Sequence, residues 1–212
     1  MPEARAHPYH HGDLRAALVR AGYGLALDEG PQAVTLRAVT RRAGVSPTAA
    51  YRHFANVDQL RAAVGMRALG ALAGVIEAHQ AALPAAHRAR PRDLLTAVGD
   101  GYIAYALDNP NGFRTGLFGL LDMGHAELPE GAGDGGRTPF QLLTDALAAA
   151  AAQGSLPPDS VSSAAVHCWS SVHGFASLAL LGPLRGQARH ELDALGRRLV
   201  RDVVAGVLGP AS

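Results

Sequence analysis

The sequence predicts an all-α protein: a small N-terminal three-helix, helix-turn-helix domain followed by a larger helical domain. Three observations lead there. Apolar residues recur at spacings of three and four along most of the chain, the period of a helix that buries one face. No strand-like alternation persists, and no repeat of fixed length is present. Between two short helical stretches near the N-terminus stands Gly44-Val45-Ser46-Pro47, whose residue types suit a tight turn.

The elements follow in order. Leu14, Leu18, Ala21 and Leu25 form one stripe from Asp13 to about Glu29, and Gly30 followed by Pro31 supplies its stop. Thr35 suits the N-cap of a second helix running to about Ala43, with Leu36 and Val39 inward and Arg37, Arg41 and Arg42 outward. In the turn, Gly44 reverses the chain, Val45 anchors it, Ser46 caps, and Pro47 opens a third helix that runs to about His53. Asn56 with Gln59 three residues on has the spacing of a capping box, starting a long helix that reaches Ala82 before Pro84 breaks the pattern. Further helices are expected over 91–109, 110–116, 140–153, 158–181 and 187–208, with a mobile Gly- and Pro-rich loop over 129–139. The division falls between residues 1–55 and 56–212.

With 212 residues, 48% hydrophobic and 17% charged, the chain is large enough to bury roughly 70% of its unfolded surface. The net charge of +1 hides an uneven split, because Arg37, Arg41, Arg42 and Arg52 fall in one stretch that has no acid. That stretch suits a polyanion, although on charge alone an ordinary solvated helix face accounts for it better. The single cysteine, Cys168, excludes an intrachain disulfide and a cysteine-based zinc site, which fits a reducing cytoplasm. The N-terminus lacks the apolar segment of a secretory signal. The apolar run over 164–184 is interrupted by His167, His173 and serines, so it reads as a buried helix and not a membrane span.

Two short helices joined by a glycine turn, with another helix behind them, make a helix-turn-helix, although helical hairpins with glycine turns also occur in proteins that never meet DNA. The exposed face strengthens it. Thr48, Tyr51, Arg52 and His53 place donors and an aromatic ring on a helix under two turns long. A helix of that size fits a major groove about 12 Å wide. Tyr51 also admits a half-buried structural reading. His7, His10 and His11 could suggest a metal, but no carboxylate or cysteine completes a site; a flexible arm is the better reading, and neither a metal nor a cofactor is expected.

The run Tyr9-His10-His11-Gly12-Asp13-Leu14-Arg15, then Ala43-Gly44-Val45-Ser46-Pro47-Thr48, Tyr51-Arg52-His53-Phe54 and Leu60, resembles the DNA-binding domain of TetR-family repressors over about the first 65 residues. Trp169-Ser170-Ser171-Val172-His173-Gly174 is similar to the Trp-His-Gly signature of one subgroup's C-terminal domain. The resemblance implies that Arg37, Pro47, Thr48, Ala49, Arg52 and His53 touch bases or nearby phosphates and that Tyr51 touches a phosphate. Arginine can fork onto guanine, and a methyl group can meet thymine. Thr35 could add a phosphate contact at a helix N-terminus. Two positions depart from the family. Thr40 stands where alanine is usual, its hydroxyl expected to bond its own helix, and Val57 stands where many members have a phosphate-binding lysine.

The remainder has no Gly-x-Ser-x-Gly, no phosphate-cradling glycine loop and no His-Glu-x-x-His pattern, so catalysis is not expected. The resemblance implies instead a small-molecule effector of unidentified chemistry, with Tyr102, Tyr105, Phe113, Phe118, Met123, Trp169 and His173 as candidate lining residues. An aromatic or Met at helical spacing is more often ordinary core than cavity lining. Stripes including Val166, Val172, Leu195, Leu199, Val203 and Val207 mark the last two helices, which the resemblance makes the interface of a homodimer bound to a palindromic double-stranded operator. The chief alternative is a helical ligand-binding or protein-interaction module without specific DNA recognition.

Overall fold

A helix with apolar residues at every third or fourth position must bury that stripe, and ten α-helices among the described residues do so around two separate cores. The computed structural model describes residues 11–117 and 128–209. Phe118 and Met123, expected as pocket residues, lie outside the described residues, as do His7, His10 and the His11 side chain.

The first core joins α1 (His11–Glu29), α2 (Leu36–Ala43), α3 (Pro47–Tyr51) and the opening turns of α4 (Val57–Ala81) through Leu18, Leu25, Val39, Phe54, Leu60 and Val64. Local hydrogen-bonding chemistry fixes its joints. Thr35 accepts from the Ala38 N–H at 3.2 Å and Ser46 from the Ala49 N–H at 3.2 Å, so each short helix begins where a side-chain oxygen satisfies a free donor. Gly44 sits at φ 70, ψ 28, a left-handed conformation that costs a side chain about 1–2 kcal/mol. The Asn56 side chain accepts from the Gln59 N–H at 2.9 Å, while Gln59 Oε1 accepts from the Ala55 N–H and not from Asn56, so the box closes one residue early. Thr40, 2% exposed, donates to the Arg37 carbonyl at 3.1 Å, which is how this helix accommodates the hydroxyl.

The second core packs the rest of α4 with α6 (Pro91–Asp108), α7 (Pro110–Leu117), α8 (Pro139–Ala152), α9 (Val161–Leu180) and α10 (Arg189–Leu208). Helix α6 lies at its centre and touches α4, α7, α8, α9 and α10. Helix α4 belongs to both cores: Leu60 and Val64 face the first, Leu72 and Ile76 the second.

Three features differ from the sequence reading. A four-residue helix, α5 (Ala85–Arg88), follows Pro84; it is too short for periodicity to reveal, and Arg88 folds back to donate to the Ala81 and Leu83 carbonyls that end α4. The expected helix start at Pro158 is a 3-10 turn, Pro158–Ser160, that leads into α9. The stretch over 129–139 is docked on α4 and does not hang free: Ala132 lies against Gly70, and the Gly135 N–H donates to the Glu77 carboxylate at 3.2 Å. Buried Thr138 then caps α8 in a reciprocal box with Gln141. No described helix is long and apolar enough to cross a membrane.

Candidate functional site

Helices α2 and α3 pack at their adjoining ends and place the predicted nucleic-acid residues on the outside. Thr35, Arg37, Pro47, Thr48, Tyr51 and Arg52 are exposed, while Ala49 and His53 are half-buried. Tyr51 is 57% exposed, which removes the half-buried structural reading of its ring. Ala50, between them in sequence, points inward and is fully buried, so α3 is held from behind by one small residue. The helix proper ends at Tyr51; Arg52 is its C-cap, and the His53 and Phe54 N–H groups both reach back to the Ala50 carbonyl. His53 also lines a shallow groove with Arg15, Arg20 and Phe54.

The basic residues around this surface divide by what they touch. Arg42 pairs with Asp28 at 2.7 Å, tying α2 to α1. Arg61 donates to the Val34 carbonyl at 3.0 Å and fastens α4 to the loop before α2. Arg15 lies over the Phe54 ring, 5.3 Å from its centroid. These three hold the unit together, and the acid-free look of the stretch over 37–53 hid the Arg42 partner on α1.

The second site is a cavity of about 340 Å³ inside the larger core, walled by α4, α6, α7, α8, α9 and α10. Leu72 and Ile76 of α4, Val98 of α6, Leu143 of α8, and Val200 and Val204 of α10 form most of its apolar surface. Of the predicted lining residues, Tyr102 and Trp169 face it. Tyr105, Phe113 and His173 are not among its lining residues. Phe113 is fully buried, edge-on to Tyr102 at 5.7 Å, and His173 bonds the Tyr102 hydroxyl at 2.8 Å. Both back the wall instead of forming it. Tyr105 donates to the Ala68 carbonyl at 3.1 Å, leaving its oxygen to accept from Tyr23 of α1 at 3.4 Å. It joins the two cores. The aliphatic wall was not legible in the sequence, since an aliphatic side chain reads alike whether it meets a neighbour or a void.

The Trp169 indole can only donate, and it points at the Tyr102 oxygen from 3.4 Å, while the same hydroxyl shares a 2.8 Å hydrogen bond with His173 Nδ1. Burial pushes the Tyr102 phenol up and the His173 imidazole down, which keeps both neutral. Burial likewise pushes the Cys168 thiol up to about 11. The His173 shift has a testable sign. Its folded form takes up a proton less readily than the unfolded chain, so its contribution to stability is complete above pH 6.5 and is lost as pH falls toward the lowered folded value. The Tm should therefore drop on going from pH 7 to pH 5, and His173→Gln should flatten that part of the profile.

Between the two sites, α7 lies against both α1 and α4. Asn111 donates to the Leu27 carbonyl at 3.0 Å, and at Gly112 a Cβ would stand 2.7 Å from the Tyr105 hydroxyl, so a side chain there must displace that hydroxyl. Leu117, at the other end of α7, lines the cavity.

An exposed helix-turn-helix joined by a shared helix to a helical domain enclosing an apolar cavity is the architecture of a ligand-responsive transcriptional regulator. Family models agree with that class. Residues 18–64 match the model described as bacterial regulatory proteins, tetR family, and residues 95–203 match the tetracyclin repressor-like C-terminal domain. The chain belongs to the TetR family, as a transcriptional regulator with a DNA-binding helix-turn-helix. A comparison with curated proteins gives no match.

Among solved structures, the fold is similar to that of a protein of unknown function from Rhodococcus sp. RHA1, with a TM-score of 0.71 at 23% identity over 96% of this chain and 100% of that one. It is also similar to a TetR variant from Acinetobacter baumannii AYE in complex with minocycline, with a TM-score of 0.62 at 18% identity over 90% and 94%. A third is the transcriptional regulator FadR from Bacillus subtilis in complex with stearoyl-CoA, with a TM-score of 0.63 at 13% identity over 91% and 98%. At these identities the likeness is one of fold.

Proposed function

We propose that the chain is a homodimeric repressor that holds a roughly palindromic operator and is released from it by a small molecule bound in the apolar cavity. The observation that carries this reading is the outward placement of Arg37, Thr48, Tyr51 and Arg52 on two adjoining short helices of a TetR-family chain. In this reading Arg37 and Arg52 fork onto guanine or nearby phosphate, the Thr48 methyl and Ala49 meet thymine methyls, and Tyr51 and Thr35 bond phosphates; Pro47 and His53 complete the contact. Residues 1–55 form the DNA-binding domain and residues 56–212 the effector and dimerisation domain, working in the cytoplasm beside the DNA.

The second copy docks on α9 and α10. Val166, Leu178 and Leu181 on or just after α9 and Leu195 on α10 are large apolar side chains left exposed on the single chain. A Cβ at Gly174 would meet nothing within 4 Å, so another helix has room to approach there. Val172, by contrast, is buried, and Val203 is half-buried and lines the cavity, so these two members of the predicted stripe serve the core. A two-fold dimer spaces its half-sites about 34–36 Å apart, or a multiple of that.

Release follows from α4 and α7. An occupant pressing on Leu72 or Leu117 displaces helices that also pack on α1, and so changes the distance between the two recognition helices. A coupling of about 1–3 kcal/mol weakens operator binding several-fold to roughly a hundredfold. The test is a gel shift on DNA flanking the chain's own gene at low salt, with unrelated duplex as competitor. Retarded complex that survives the competitor supports the reading; indifference to every duplex overturns it.

A further inference from the structure

The cavity's chemistry restricts what can fill it. Among the described residues that line it none carries a charge, and its side-chain polar atoms belong to Tyr102, Trp169 and Cys168 alone. An ionised carboxylate or ammonium placed there loses its water and meets no counter-charge among these described residues, a penalty that apolar contact does not repay. The hydrogen-bonding groups restrict it further. The Tyr102 hydroxyl bonds His173 and keeps a lone pair whichever of the two donates, while the Trp169 N–H is 3.4 Å from that oxygen, beyond the usual range of about 2.7–3.2 Å. The pair therefore offers one under-used donor and one acceptor, side by side. A hydroxyl can use both, and a carbonyl can use the first. Size sets the last limit: about 340 Å³ lies near the small end of the roughly 300–1,000 Å³ of ligand pockets, so the occupant is compact.

We propose that the effector is a neutral, compact, mainly hydrocarbon molecule bearing one hydroxyl or carbonyl, such as a cyclic ten-carbon alcohol or ketone. This rests on the reading of the cavity as the effector site. The polar group sits between Trp169 and Tyr102, and the ring fills the space among Leu72, Val98, Leu143 and Val200.

The chain has a single tryptophan, and it lines the cavity, so its emission reports occupancy directly. The experiment titrates the full-length protein at pH 7.5 with three matched probes transparent at the excitation wavelength: menthol, menthane and menthane carboxylate. Menthol is expected to change Trp169 emission saturably and to raise the Tm, with the carboxylate at least tenfold weaker and menthane several-fold weaker. Tyr102→Phe should bring menthol down toward menthane and leave menthane unchanged. Val98→Phe and, as a second filling variant, Leu143→Phe should abolish both, with circular dichroism confirming that each is folded. Carboxylate binding as tightly as menthol, and lost in the filled variants, overturns the neutral class and leaves the cavity as the effector site. Menthol binding that survives both filled variants overturns that reading as well. No saturable response to any probe overturns the size and class proposed, while the gel shift on operator DNA stands apart from it.

Discussion

Arg52→Ala is expected to lower operator affinity roughly tenfold to a hundredfold for each recognition helix, with helicity and Tm unchanged. The residue is exposed at the C-cap of α3, so removing its side chain takes nothing from either core. The loss should be concentrated at one base position in each half-site, because a forked guanidinium discriminates by geometry and not by charge alone. Arg42→Ala is the control. It removes the same formal charge five residues before α3, but its guanidinium is held by Asp28, so its effect should stay well under tenfold and be uniform across sequences. Quantitative gel shifts on the two variants, with a panel of single-base operator changes, separate these outcomes. Equal losses would mean that the surface acts through its field only.

The second large effect comes from the other end of the molecule. Val166→Glu combined with Leu195→Glu puts carboxylates on the exposed faces of α9 and α10, where the partner copy must bury them unpaired. The variant should sediment as a monomer, keep its two cores, and bind operator roughly a hundredfold or more weakly, because two half-site contacts no longer act as one. Analytical ultracentrifugation beside the gel shift checks both parts. A variant that stays dimeric with unchanged affinity would remove α9 and α10 from the interface.

What the sequence revealed, and what it hid, divides by the range of the interactions concerned. The turn from Gly44 to Pro47 and the caps at Thr35, Ser46 and Asn56 are short-range hydrogen-bonding chemistry, written within four residues of where they act. They were legible to within a residue or two, as was the exposed surface they present. The cavity was not. Its wall comes from six helices, and whether Val98 or Val200 faces a neighbour or empty space depends on how those helices meet. Phe113 and His173 attracted notice for their chemistry, yet they sit behind Tyr102, a placement set by α6, α7 and α9 together. The docking of the 129–139 stretch was hidden for the same reason: Glu77 reaches Gly135 across 58 residues of chain.

The most direct test is selection of bound duplexes from a random-sequence DNA library by the purified full-length protein, repeated with Arg52→Ala. The account predicts enrichment of a two-fold symmetric sequence whose half-sites lie one helical turn apart or a multiple of it, weakened at one position per half-site by the variant. No enrichment over the starting library, or a single asymmetric site indifferent to Arg52, would contradict it.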